Sequence, residues 1–221
     1  MNAVRGSRLA GAAYVAGVRD PRVLDAIATI PRAAYVPADE TIVAERDRPI
    51  PIAGGQVTTQ PSLVAAMVEA LALTGEERVL EIGTGLGYEA AVLAHLAREV
   101  WSVERRAELA NAAVENLRAQ GVENVQVVTG DGTEGLPDHA PYDAIVLAAA
   151  YPRVPRPLVE QLAPGGRLVQ PIGPGGHEEV TLFRGDAGGI VRVREVIGAR
   201  FVPLYGKHGF APGRWASPLS R

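Results

Sequence analysis

The sequence contains no cysteine, a single lysine at position 207, and only 5% aromatic residues. Without cysteine there is no thiolate nucleophile, no cysteine-based zinc site and no disulfide scaffold. No apolar run approaches the ~18 residues that a membrane span requires. Neither sign of charge is in excess, since 22 Lys and Arg stand against 25 Asp and Glu for a net charge of -3. A chain with that balance and 47% hydrophobic residues buries enough surface to offset its conformational entropy, so disorder is excluded. Its 221 residues suit one compact domain with an elaborated core.

The basic residues are 21 arginines and Lys207, alongside 25 Gly and 17 Pro. That combination reads as a GC-rich codon bias before it reads as arginine chemistry. From Arg184 onward seven basic residues stand against two acidic ones, which makes a mildly basic tail. It has no Arg/Lys run and no interleaved aromatics, so it reads as a solvated surface and not as a nucleic-acid interface. Leu9 to Val18, behind Arg5 and Arg8, has the outline of a secretion signal. It is rich in Gly and Ala, however, and leads into a helix start at Asp20-Pro21, so the expectation is a cytoplasmic protein.

Short β-branched runs alternate with helix-period segments, the pattern of βα units feeding a mostly parallel sheet. The predicted strands are Arg78 to Ile82, Glu99 to Glu104, Val125 to Val128, Asp143 to Ala148 and Arg167 to Ile172. Helices are predicted at Tyr88 to Leu96, at Ala107 to Ala119 closed by Gly121, and at Pro157 to Leu162 stopped by Pro164-Gly165-Gly166. Glu178 to Arg184 and Ile190 to Leu204 read as extended segments joined by a hairpin at Asp186-Ala187-Gly188-Gly189, adding antiparallel strands at the sheet edge. In the N-terminal part, Asp20 as N-cap and Pro21 start a helix through Thr29. Prolines 31, 37, 49 and 51 then punctuate an irregular stretch to Gln60, long enough to suggest a cover over a ligand. Pro61 starts a further helix with Leu63, Val64, Met67 and Leu71 as its apolar stripe. The whole reads as one doubly wound, Rossmann-like α/β domain: residues 1–77 form N-terminal helices and a covering segment, 78–177 a cofactor-binding core, and 178–221 the antiparallel strands and tail.

The first predicted sheet strand runs directly into Gly83-Thr84-Gly85-Leu86-Gly87-Tyr88 and a helix. Glycines there let the backbone turn tightly and let a ligand approach it, although such turns also occur for steric reasons alone. Glu104 closes the next strand, where a carboxylate can accept hydrogen bonds from two ribose hydroxyls. Asp131-Gly132 follows the third strand and places a second acid near the same crevice. A dinucleotide fingerprint wants its third glycine three residues after the second, but Tyr88 stands there. A pyrophosphate site is thereby disfavoured. S-adenosyl-L-methionine, which presents an amino-acid tail, a ribose and an adenine, suits this pattern, and the arrangement resembles the class I methyltransferase fold.

More residues agree than a fold class explains. Gly55-Gln56-Val57-Thr58-Thr59-Gln60-Pro61, Val79 to Tyr88, Ser102-Val103-Glu104-Arg105, Gly130-Asp131-Gly132, Ala140 to Ile145, Gln161 to Val169 and Arg200-Phe201-Val202-Pro203-Leu204 stand in collinear order over about residues 20–206. In this the chain resembles the protein-L-isoaspartate O-methyltransferase family. The resemblance implies methyl transfer from S-adenosyl-L-methionine to the free α-carboxylate of an L-isoaspartyl residue in a damaged protein or peptide. The ester then collapses to a succinimide that reopens partly as aspartate. It further implies cofactor contacts at Thr58, Thr59, Gln60, Gly83, Thr84, Gly85, Gly87, Glu104, Arg105, Asp131 and Gly132. Apart from the resemblance, the chain is expected to hold no metal and to act as a monomer that binds neither nucleic acid nor membrane. A serine occupies the family position that is Thr59 here, and it is marked there as the active site, so Thr59 inherits the catalytic role. The competing reading is that Thr58 or Thr59 caps the Pro61 helix. Leu86 stands where the family's turn often carries serine, and Thr58 replaces a commonly apolar residue; both departures bear on substrate preference.

Three rival functions stay open at this level. One is a related carboxyl methyltransferase acting on an aspartate side chain of a dedicated peptide. The second is a nucleic-acid methyltransferase, disfavoured because Ala148-Ala149-Ala150-Tyr151-Pro152 lacks the Asn/Asp-Pro-Pro-aromatic motif of amino-group enzymes. The third is a catalytically inactive cofactor-binding protein. Among the remaining residues, Trp101 reads as packing, His95 as helix surface, and Tyr205 and Lys207 as rim contacts to substrate; His139, His177 and His208 show no metal-ligand spacing.

Overall fold

The computed structural model describes residues 7–174 and 176–211, and it is organised by the alternation of side chains along five parallel strands. These are β3 (Arg78–Ile82), β4 (Glu99–Glu104), β5 (Val125–Thr129), β6 (Tyr142–Leu147) and β7 (Leu162–Ile172), which follow a small antiparallel pair, β1 (Pro51–Ile52) and β2 (Gln56–Val57). Two further strands, β8 (Glu178–Asp186) and β9 (Gly189–Ala199), pair antiparallel at one edge. The seven-stranded sheet has the order β5-β4-β3-β6-β7-β8-β9. Val79, Val100, Ala144 and Val146 enter one hydrophobic layer, and Leu80, Val103, Ile145 and Leu147 enter the other. Because successive side chains of a strand point to opposite faces, both faces must be covered.

One face carries α1 (Arg8–Val15), α2 (Pro21–Thr29), α3 (Pro61–Ala70), α4 (Tyr88–Ala94) and α5 (Ala107–Ala119), all sharing a core. The other holds α6 (Arg156–Gln161) and the chain around Leu204. Helix α2 has the expected bounds: Asp20 accepts a hydrogen bond from the Arg22 N–H and Pro21 occupies the first turn. Helix α5 also ends as read, with Gly121 at φ 69° just beyond it.

Several elements differ from the sequence reading. Helix α1 was not anticipated; the stretch that looked like a leader packs Leu9, Ala10 and Ala13 into the core and is capped by Ser7. Its small residues let it lie close to α3, a fit that periodicity does not reveal. Helix α3 buries nearly its whole circumference instead of one stripe, since the sheet lies on one side and α1 and α2 on the other. Helix α4 stops at Ala94, and β7 begins at Leu162, directly after α6, so Pro164-Gly165-Gly166 lies within the irregular start of a strand. The last extended segment leaves the sheet at Ala199, and Pro203 instead bridges to Ala150. That departure carries residues 200–205 across the carboxyl end of the sheet. Among the described residues no helix is long and apolar enough to cross a membrane.

Candidate active site

The chain winds from β3 through β4 to β5 in one direction and then returns to the other side of β3 with β6. Such a reversal leaves a crevice outside the carboxyl ends of the strands, where the two βα turns part. A cleft lies there. Gly83, Thr84, Gly85 and Leu86 form its floor, Glu104 and Arg105 one wall, Ala148 and Ala149 another, and Ile52 with Gln56 to Thr59 its cover; Val202 to Tyr205 form the rim.

The floor exists because of its glycines. Gly83, Gly85 and Gly87 have φ of 100°, 57° and 96°, which side-chain-bearing residues rarely adopt. Gly83 and Gly85 face the cleft, whereas Gly87 faces away: a Cβ on it would press on Leu117 and Ala113 of α5. The buried Glu104 carboxylate ties the first two βα turns together, accepting from the Gly85 N–H at 3.1 Å and the Arg106 N–H at 3.0 Å. Thr84 lends the cleft its backbone, because its hydroxyl lies 2.5 Å from Ser102 Oγ, which in turn donates to Glu81.

Asp131 and Gly132 separate in role. Gly132 lines the cleft and has no room for a Cβ, which would collide with Ile82. Asp131 stands behind it and accepts from the Thr133 N–H at 2.9 Å, the Thr133 hydroxyl at 2.7 Å and the Lys207 N–H at 2.7 Å. Burial by itself pushes the Asp131 carboxyl up, but the Lys207 and Thr133 donors outweigh it and hold the group below its ordinary value. Lys207 and Tyr205, read as rim residues, are therefore fastened to the site: the Arg105 guanidinium lies 5.0 Å from the centre of the Tyr205 ring, and Lys207 Nζ pairs with Glu134 at 2.8 Å.

The cover is fixed by a residue that the sequence reading passed over. Arg32 is fully buried and donates to the carbonyls of Ala44, Arg46 and Arg48 and to Thr58 Oγ1, at 2.8 to 3.1 Å. One guanidinium fork thus gathers residues 44–58. Thr58 Oγ1 also accepts from the Ile50 N–H at 3.1 Å, so the Thr58 side chain is spent on positioning its neighbour Thr59. Neither threonine caps α3. Asp47 does so from a distance, accepting from the Ser62 N–H and from Gln60 Nε2, both at 2.8 Å. Gln60 accordingly lies off the cleft, in an adjoining depression lined also by Pro49, Leu63 and residues 197–202. Thr58 and Thr59 border both hollows, and the Thr59 hydroxyl makes no hydrogen bond among the described residues.

Trp101 stacks on His139 at 3.5 Å between ring centres, away from the cleft, and His95 sits at the surface 3.9 Å from Asp25. The sequence reading also missed Tyr35, Tyr88 and Glu89, which line the cleft with buried polar atoms that have no partner among the described residues. Burial pushes the Tyr35 hydroxyl up to about 12.

This geometry has relatives. The profile of the family described as Protein-L-isoaspartate(D-aspartate) O-methyltransferase matches residues 9–209. The protein-L-isoaspartate O-methyltransferase of Methanoculleus marisnigri is 50% identical over 195 residues, 88% of each chain. That of Roseiflexus sp. is 49% identical over 199 residues, 90% of this chain and 91% of the relative. A solved protein-L-isoaspartate O-methyltransferase superposes with a TM-score of 0.79 at 31% identity, over 91% of this chain and 66% of that longer one. A Plasmodium falciparum structure described under the same activity, in complex with S-adenosyl-L-homocysteine, is 20% identical with a TM-score of 0.76 and supports the fold alone. With its family profile, near-full-length relatives and class I methyltransferase sheet in agreement, the chain belongs to the protein-L-isoaspartate O-methyltransferase family.

Proposed function

We infer that this protein methylates the free α-carboxylate of L-isoaspartyl residues in damaged proteins or peptides, using S-adenosyl-L-methionine, and so starts their repair. Family membership over residues 9–209 is the observation that carries the reading. The cleft fits the cofactor on its own terms. It offers a glycine floor open to close approach, a buried carboxylate at the second strand end, and the orphaned Glu89 carboxyl facing a ligand that is cationic.

When bound, the cofactor supplies a methyl group on an electrophilic sulfonium. Gly83, Thr84 and Gly85 would receive its amino-acid tail through their backbone, and Glu104 its ribose hydroxyls, with Arg105 and Tyr205 closing that side. Gly132 would meet the adenine, and Asp131 would reach it through the acceptor direction that Thr133 and Lys207 leave free. Gly87 serves by setting the start of α4, and Thr58 and Gln60 by holding Thr59 and α3. Thr59, at the junction of the two hollows, would donate its hydroxyl to the substrate carboxylate and hold one oxygen in line with the methyl group. The adjoining depression would take the peptide. A carboxylate is already ionised at neutral pH, so positioning suffices and no general base is required.

Within the single domain, we propose that residues 7–77 cover, 78–177 bind the cofactor, and 178–211 form the substrate-side edge; residues 1–6 of the expected covering segment and the expected tail beyond 211 lie outside the described residues. The reading includes a monomer acting in the cytoplasm, which light scattering and fractionation test. The decisive assay offers matched isoaspartyl and aspartyl peptides with labelled cofactor. Base-labile label should enter only the isoaspartyl peptide; label in the aspartyl peptide alone would favour the dedicated-peptide rival. Thr59→Ser should stay within a few-fold of the parent, whereas Thr59→Ala should lose 10- to 100-fold in kcat/KM, on the order of a lost charge-assisted hydrogen bond.

A further inference from the structure

Glu89, in the first turn of α4, is 5% exposed, and neither of its carboxyl oxygens has a hydrogen-bond partner among the described residues. It lines the cleft. Behind it, on β3, stands Glu81, fully buried, with one oxygen held by Ser102 and the other unpartnered. The two are close enough to repel, and Glu104 of β4 adds to the repulsion on Glu81. Thr84 and Ser102 supply only hydroxyls, Tyr35 and Tyr88 only phenols, and Arg105, the one basic residue that lines the cleft among the described residues, is turned to Tyr205. Arg32 is spent on the cover. A buried carboxyl without donor or cation is held neutral, and burial accordingly pushes Glu89 up to about 8. The cleft therefore has carboxyls waiting for positive charge, and none of the described residues supplies it.

We propose that Glu89, backed by Glu81, is the counter-ion to the positive charge of the bound cofactor, releasing its proton to solvent when the cofactor enters and regaining one when it leaves. The bond broken is the Glu89 O–H, whose electron pair stays on the carboxylate. This rests on the cofactor reading above. Glu89 is a positioning residue for the cation and takes no part in the transfer itself.

The experiment is titration of the full chain with S-adenosyl-L-methionine by calorimetry, in buffers of different ionisation enthalpy, and across pH 6 to 9. About one proton should leave per cofactor at pH 7, and affinity should rise close to tenfold per pH unit until it levels near pH 8. Glu89→Gln, nearly isosteric, should release none at pH 7 and bind with an affinity flat in pH. Glu81→Gln should leave the levelling near pH 8, because burial alone raises Glu89 and Glu81 is still neutral while Glu89 titrates; loss of the pH dependence in Glu81→Gln would mean that Glu81 and not Glu89 releases the proton, and would overturn the assignment. Unchanged release in Glu89→Gln overturns the proposal. So does affinity that falls as pH rises, which would mean that a protonated Glu89 donates to an anion. Absence of any binding would remove the methyltransferase reading itself, a separate failure.

Discussion

At Arg32 a single side chain does the work of a small element. Its two terminal nitrogens hold three carbonyls and a hydroxyl that lie 12 to 26 residues away in sequence. Lysine keeps the charge but cannot reproduce a planar fork, and the carbonyls it left would be buried without donors. Arg32→Lys is therefore expected to destabilise the fold by about 2–3 kcal/mol in urea denaturation and to weaken cofactor binding, because Thr58 and Thr59 lose their anchor. Nothing in the sequence distinguishes Arg32 from the other 20 arginines. Glu89 escaped notice similarly, since a glutamate in the first turn of a helix is an ordinary, solvated choice. Glu104, by contrast, was legible because a strand, a glycine turn and an acid at a set spacing place the acid by geometry alone.

Among the elements, those with local signals were readable and those shaped by neighbours were not. Asp20 and Pro21 start α2, and Gly121 ends α5, for reasons within a few residues of each end. Helix α3 has the same proline start but no cap of its own; Asp47, 15 residues earlier, provides it. Asp47→Ala should cost about 1–2 kcal/mol of stability, as the loss of a helix cap does, and a thermal melt with the loss rescued by Asp47→Asn would confirm that hydrogen bonding and not charge is responsible. The Pro-Gly-Gly signal read as a helix stop falls just past the end of α6 at Gln161, inside β7, where Leu162 pairs with Tyr142 and regular pairing with β6 and β8 resumes only at Arg167.

For the molecule as a whole, two buried carboxyls, Glu89 at the cleft and Glu81 behind it, make stability depend on pH. Glu81 and Glu89 are both pushed above the ordinary carboxylate value, by burial first, and for Glu81 then by the Glu89 charge. The folded state therefore binds more protons than the unfolded one above the ordinary glutamate value. Its stability is greatest below that value and falls as pH rises towards about 8. Without cofactor, the protein should lose on the order of a few kcal/mol between pH 5 and pH 9 from this cause, and Glu89→Gln should recover much of it at pH 9 and little at pH 5. Melting temperatures of both proteins across that range test it. The missing cysteines agree with the same chemistry, for methyl transfer to an ionised carboxylate needs no thiolate. By itself the sequence determined the βα order, the glycine floor, the acid at Glu104 and the family, because strand periodicity, turn stereochemistry and spacing act over short distances along the chain. The tertiary structure alone decided that Arg32 binds the cover, that Asp47 caps α3, that Asp131 is partly consumed by Lys207 and Thr133, and that Glu89 faces the cleft unpaired. Those are matters of which groups meet after folding, and burial, hydrogen bonding and charge take their values only from that meeting.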